Sequence, residues 1–165
     1  MVKKICFIFI VFNTCIFSNS QPIIEKSLLH IKNGIFIPKG GKTPFTGMAT
    51  NERDREFYRD GKPHGKWLNF YENGNLKSIE SWKDGILNGK HILYNQDEIK
   101  LSEIYYRDGN EDGKYILFHD NGIPYIVGEF IDGEASGIWY YYNESGKLTG
   151  SNDFRKKIRD KKIKY

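Results

Sequence analysis

A fixed step of 24 residues governs this chain. Asp60-Gly61 returns as Asp84-Gly85, Asp108-Gly109 and Asp132-Gly133. A second glycine follows each pair, at Gly65, Gly89, Gly113 and Gly137. An aromatic precedes each Asp by two positions: Tyr58, Trp82, Tyr106 and Phe130. Two residues after the second glycine stand Trp67, His91, Tyr115 and Trp139; five after it stand Phe70, Tyr94, Phe118 and Tyr142. A further turn signal follows as Asn73-Gly74, Asn121-Gly122 and Ser145-Gly146, interrupted only by Asp97-Glu98. A repeat this short cannot bury an apolar face alone, so its copies must stack.

Each repeat holds two short runs rich in aromatic and β-branched residues, bounded by glycine turns. That composition predicts two strands per repeat, joined as an antiparallel meander. Asn-Gly at 73–74 and 121–122 predicts tight hairpins with φ > 0 at both central residues. The D-G-x-x-x-G segment predicts a longer loop. Gly61, Gly65, Gly85, Gly89, Gly109, Gly113, Gly133 and Gly137 would supply its left-handed or bulged backbone, and each Asp would bond its own loop backbone. A phosphate cradle needs a helix after the glycine loop. No helical periodicity follows any of these loops.

The pattern resembles the bacterial MORN-type repeats, in particular the variant repeats of the YwqK-type antitoxin family. Asp60, Gly61, Gly65, Trp67, Phe70, Gly74 and Leu76 are on that pattern. The second copy departs from it at His91 and Glu98, and the last two follow it well. Pro44-Phe45-Thr46-Gly47 resembles a degenerate opening loop of the same family. The resemblance implies an all-β fold: an elongated single-layer antiparallel β-meander of 24-residue hairpin repeats. It also implies an antitoxin-like or immunity-like binding role.

Residues 1–20 predict a secretory signal peptide. Lys3-Lys4 precede an apolar run from Ile5 to Phe12, and Ser18-Asn19-Ser20 supplies small and polar residues for cleavage. The run is shorter than the ~20 residues a membrane span needs. The product would be periplasmic, at the outer surface or secreted. Both cysteines, Cys6 and Cys15, lie in this leader, which leaves no disulfide framework or thiol nucleophile beyond it.

Charge is unevenly placed. Of the formal +4, the leader carries +2 and residues 151–165 carry +5, so residues 21–150 stand at −3. That is not the footprint of a nucleic-acid-binding domain. Residues 21–47 predict an N-terminal hairpin around Asn33-Gly34 and a degenerate repeat start. Residues 48–150 form the repeat sheet, and residues 151–165 a basic tail.

Alternation along the strands separates two faces. One phase, Leu68/Phe70, Ile92/Tyr94, Ile116/Phe118 and Tyr140/Tyr142, is apolar in every repeat and is expected to be buried. The other is mixed and is expected to form an exposed binding face, with Trp67, Tyr71, His91, Tyr115, His119, Trp139 and Tyr141 as its candidate contacts.

No catalytic constellation is apparent. His91 and His119 share a face in adjacent repeats, but no third metal ligand accompanies them. The recurring Asp residues would stand ~10 Å apart, too far for a shared carboxylate pair. The expectation is a non-catalytic, exported module without cofactor or metal that binds another protein. The alternative is an envelope-associated structural protein, touching membrane or glycan through the basic tail or aromatic face. A wall or carbohydrate hydrolase ranks last.

Overall fold

The structure, a computed structural model, describes residues 21–155. The expected leader and most of the basic tail lie outside the described residues.

The N-terminal part holds β1 (Ile23–Glu25), a 3-10 turn at Lys26–Leu28, β2 (Leu29–Lys32), β3 (Ile35–Pro38), β4 (Gly47–Thr50), β5 (Glu56–Arg59) and β6 (Lys62–Pro63). The repeats contribute β7 (Gly65–Phe70), β8 (Leu76–Lys83), β9 (Ile86–Leu87), β10 (Gly89–Tyr94), β11 (Lys100–Arg107), β12 (Asn110–Phe118), β13 (Pro124–Ile131), β14 (Glu134–Tyr142) and β15 (Leu148–Asp153). The last strand therefore runs three residues into the segment expected to be tail.

The architecture is the all-β antiparallel meander that the repeat implies. Sheet order runs β7, β8, β10, β11, β12, β13, β14, β15, with β9 folded back on β8. The bridge between Arg55 and Leu68 joins β5 to β7 and makes the N-terminal sheet continuous with the repeats. Among the described residues, substantial contacts between elements run between neighbours along a sheet, across a hairpin, and between β5 and β7 at this bridge. One departure is β1, which pairs parallel with β4; its three residues carry no repeat signature.

The two turn types exchange roles relative to expectation. Asp60-Gly61 has φ of 50° and 71°, and the other three Asp-Gly pairs behave alike. With Arg59 opposite Lys62, these are the two-residue hairpins with both central residues left-handed. Asn33-Gly34 forms the same turn, as expected. At the Asn-Gly tips only the glycine is left-handed; the chain makes a longer turn closed by Gly74 N–H to Tyr71 C=O at 2.9 Å. A β-bulge follows each such tip: Lys77, Leu101, Tyr125 and Thr149 are the unpaired extra residues. A bulge adds local twist and bends its strand.

The second glycine of each motif serves another bulge. Glu111 faces Tyr106 while Tyr115 faces Ile104, so Asp112, Gly113 and Lys114 stand opposite Tyr105 alone. In the last repeat Gly137, Ile138 and Trp139 stand opposite Gly128 alone. Gly113 has φ of 113° and Gly137 has φ of 68°, which a Cβ disfavours.

Stacking is secured along both edges of the ribbon. On one edge, Gly61, Gly85, Gly109 and Gly133 donate their N–H groups to Phe45, Pro63, Leu87 and Glu111, at 2.8, 2.8, 2.9 and 2.8 Å. Two of the aspartates expected to bond their own loops, Asp84 and Asp108, meet neighbouring repeats instead. Asp84 accepts from Arg59 and contacts His64, and Asp108 accepts from Asn88. Arg59 holds the exposed Asp84 carboxyl below its ordinary range. On the other edge, Tyr71 Oη donates to Tyr94 C=O at 2.7 Å, and Asn121 Nδ2 to Glu144 C=O at 2.8 Å.

Candidate functional site

Four of the seven candidate residues, Trp67, His91, Tyr115 and Trp139, lie in a broken row of aromatic rings that is buried at Trp139 and half-buried elsewhere; Tyr71, His119 and Tyr141, also half-buried, are held by hydrogen bonds instead. Tyr58 stacks on Phe36 at 4.7 Å and on Trp67 at 5.1 Å, and Trp67 on Trp82 at 5.4 Å. Further along, His91 meets Tyr106 at 5.9 Å, and Tyr115 meets Phe130 and Trp139, each at 5.2 Å. Phe154 closes the row over Trp139 at 5.9 Å. Aromatic pairs at such separations add ~0.5–1.5 kcal/mol beyond area burial. The N-terminal hairpin covers the opposite end through Phe36, beside a core of Phe45, Ala49 and Tyr58.

Trp139, expected to be exposed, is only 8% exposed. The reason is the bulge. Its indole fills the space over Gly128 and donates Nε1–H to the carbonyls of Glu129 and Ser136, at 3.2 and 3.1 Å. Trp67 repeats the device, donating to Phe57 C=O at 2.7 Å. Tyr71 and His119 each bond a carbonyl of the next repeat; His119 Nε2 reaches Tyr142 C=O at 2.8 Å. Tyr141 receives a bond from Asn152 Nδ2 at 3.0 Å. Sequence reasoning assigned the buried phase by apolarity. It missed that these aromatic rungs carry polar handles for the bulge and turn carbonyls.

Burial also perturbs this row's hydroxyls. It raises the Tyr58 phenol, with Glu56 adding to the effect through a 2.7 Å hydrogen bond. Tyr106 and Tyr115 are raised first by burial, then by the nearby Glu111 charge. Two buried polar atoms on this face, His91 Nδ1 and Ser102 Oγ, have no hydrogen-bond partner.

The opposite face carries a strip of apolar residues in register. Leu68 pairs with Ile79, Ile79 with Ile92, Ile116 with Val127, and Val127 with Tyr140. Ile92 and Ile116 are the most covered of these. Between them stands Glu103, opposite Ile92 on one side and Ile116 on the other. Lys90 Nζ and Lys100 Nζ each bond its carboxylate at 2.9 Å. Burial acts to raise the Glu103 carboxyl, but the two lysines outweigh it and hold it below its ordinary range. Hydrogen bonding to Tyr105, then to Glu103, raises Lys90. The signal was present in the sequence: Glu103 occupies the position held by Ile79 and Val127 in the flanking repeats.

Among the described residues no group of three or more His, Cys, Asp or Glu is placed to hold a metal ion. No described helix is long and apolar enough to cross a membrane. No curated protein matches the chain. Residues 63–84 match the family model for a MORN repeat variant, so the first full repeat of the sheet is a MORN repeat variant, and its turn and bulge geometry recurs through the later copies.

Proposed function

We propose that this chain is an exported, non-catalytic repeat module that binds another protein through the face bearing Leu68, Ile79, Ile92, Ile116, Val127 and Tyr140. The observation that supports this reading is the single layer. The aromatic face is capped at its two ends by Phe36 and Phe154, and ring contacts and hydrogen bonds within the chain engage its side chains. The apolar strip leaves Leu68, Ile79, Val127 and Tyr140 partly exposed around the buried Ile92 and Ile116. A contiguous apolar strip rimmed by polar groups marks an interaction surface. Masking of a toxin outside the cytoplasm is the specific form of binding we favour, because the repeat pattern resembles that of antitoxins and the leader resembles an export signal.

The test is capture from the producing cell's envelope and medium with residues 21–165, read by mass spectrometry. One dominant protein, lost with Val127→Asp while the melting curve holds, is the expected result. Equal capture by Val127→Asp moves the contact off this face. Enrichment of lipid or glycan without protein overturns the protein-binding reading.

A further inference from the structure

Resting on that reading, we infer that Lys90 and Lys100 form the anchor of the binding face, and that the partner brings a carboxylate to them from within an apolar patch. Two ammonium groups share one carboxylate here, which leaves one positive charge uncompensated. The Glu103 side chain is covered, at 11% exposed, while those of Lys90 and Lys100 are 39% and 32% exposed. An approaching partner therefore meets the ammonium groups and not the acid. Lys66 and Lys114 occupy the same repeat position as Lys90 and are exposed, so the field beside the strip stays positive despite Glu129 opposite Lys114.

The setting favours one kind of occupant. Ile92 and Ile116 flank the cluster, while the Tyr105 and Phe118 rings lie 5.1 and 5.4 Å from the two ammonium groups. A wholly apolar partner would strip water from these charges without replacing it, a desolvation cost with no return. A partner carboxylate replaces that water with a charge-assisted hydrogen bond in a covered site, the setting in which such bonds are strongest. A polyanionic surface, whether membrane or nucleic acid, would also face a body of net charge −3 over residues 21–150. A protein side chain carrying a single charge avoids that repulsion.

The experiment uses the full chain, tagged and expressed in its producing cell, and the protein that it captures there, once identified and purified. Removing the lysines alone would leave Glu103 buried and unpaired, so the informative variant is Lys90→Met/Lys100→Met/Glu103→Ile, which restores the apolar pattern of the neighbouring repeats. It should fold and lose roughly tenfold or more in affinity, whereas Lys147→Met, at an exposed turn tip, should change affinity less than about threefold. Carbodiimide coupling of the wild-type complex should join Lys90 or Lys100 to an Asp or Glu of the partner. Undiminished binding by the triple variant, or coupling only at other lysines, overturns the anchor and leaves the binding reading intact. Absence of any captured protein overturns both. Lysine-dependent binding to phosphatidylglycerol vesicles in place of protein also overturns both, in favour of a lipid surface.

Discussion

The Trp139 indole lies directly over Gly128, so close that a Cβ on Gly128 would sit 2.3 Å from Cδ2 and 2.4 Å from Cε2. Gly128 is not one of the repeat glycines and its backbone is not left-handed. Its lack of a side chain serves the indole. Gly128→Ala should destabilise the fold by about 1–3 kcal/mol through overpacking. Combined with Trp139→Leu, the loss should be smaller than the sum of the two single effects, because the variants share one space. Urea denaturation of the four proteins in this cycle checks it, and strict additivity would contradict the contact.

Gly113 makes the opposite use of its missing side chain. It adopts φ of 113°, and an added Cβ would lie 3.2 Å from Cβ of Tyr105. Gly113→Val should cost more than ~1 kcal/mol. An unchanged melting curve would count against the bulge as a structural requirement.

Glu98 is forced into a conformation that suits glycine. Its φ is 61°, at the tip position occupied by Gly74, Gly122 and Gly146 in the other repeats. A left-handed non-glycine residue costs ~1–2 kcal/mol, partly offset by the greater freedom of glycine in the unfolded chain. Glu98→Gly should therefore stabilise the protein by about 0.5–1 kcal/mol. A lowered denaturation midpoint would show that the Glu98 side chain supplies more than its backbone loses.

Ser102 presents a similar opportunity in the interior. It is 5% exposed, and its hydroxyl has no partner. An orphaned buried polar group costs ~1–3 kcal/mol of desolvation. Ser102→Ala should be neutral or stabilising by thermal denaturation, unlike Asn121→Ala, which removes the donor to Glu144 C=O and should cost about 1 kcal/mol.

Acid should weaken the fold through Glu103. Its folded-state pKa is depressed, so its contribution is fully present above the unfolded value of ~4.3 and is lost as pH falls toward the lower folded value. Lys90 has the opposite sign: raised when folded, it contributes below ~10.4 and loses that contribution as pH rises through its folded value. Between these limits Glu103 and Lys90 are both charged. Melting temperature measured from pH 6 to pH 3 should fall less steeply for Glu103→Ile than for the wild type. Parallel profiles would place the acid sensitivity elsewhere.

The sequence by itself determined the period, the strand count per repeat and the meander, because glycines at fixed steps and β-rich runs between them act locally. It also determined the Asn33-Gly34 hairpin, where two residues suffice to define a turn. Which glycine pair makes the tight turn was not local. Asp-Gly and Asn-Gly both tolerate left-handed backbone, and the choice followed from strand register and from the bulges at Lys77, Leu101, Tyr125 and Thr149. The role of Trp139 was equally nonlocal. Its alternation marked a face, but the bulge opposite Gly128 and the ring of Phe154 buried this side chain on it. Glu103 was visible as a charged exception in an apolar phase. Lys100 stands three residues before it on the same strand, but only the strand pairing brought Lys90 onto the other carboxylate oxygen, because side chains from neighbouring strands converge where register places them.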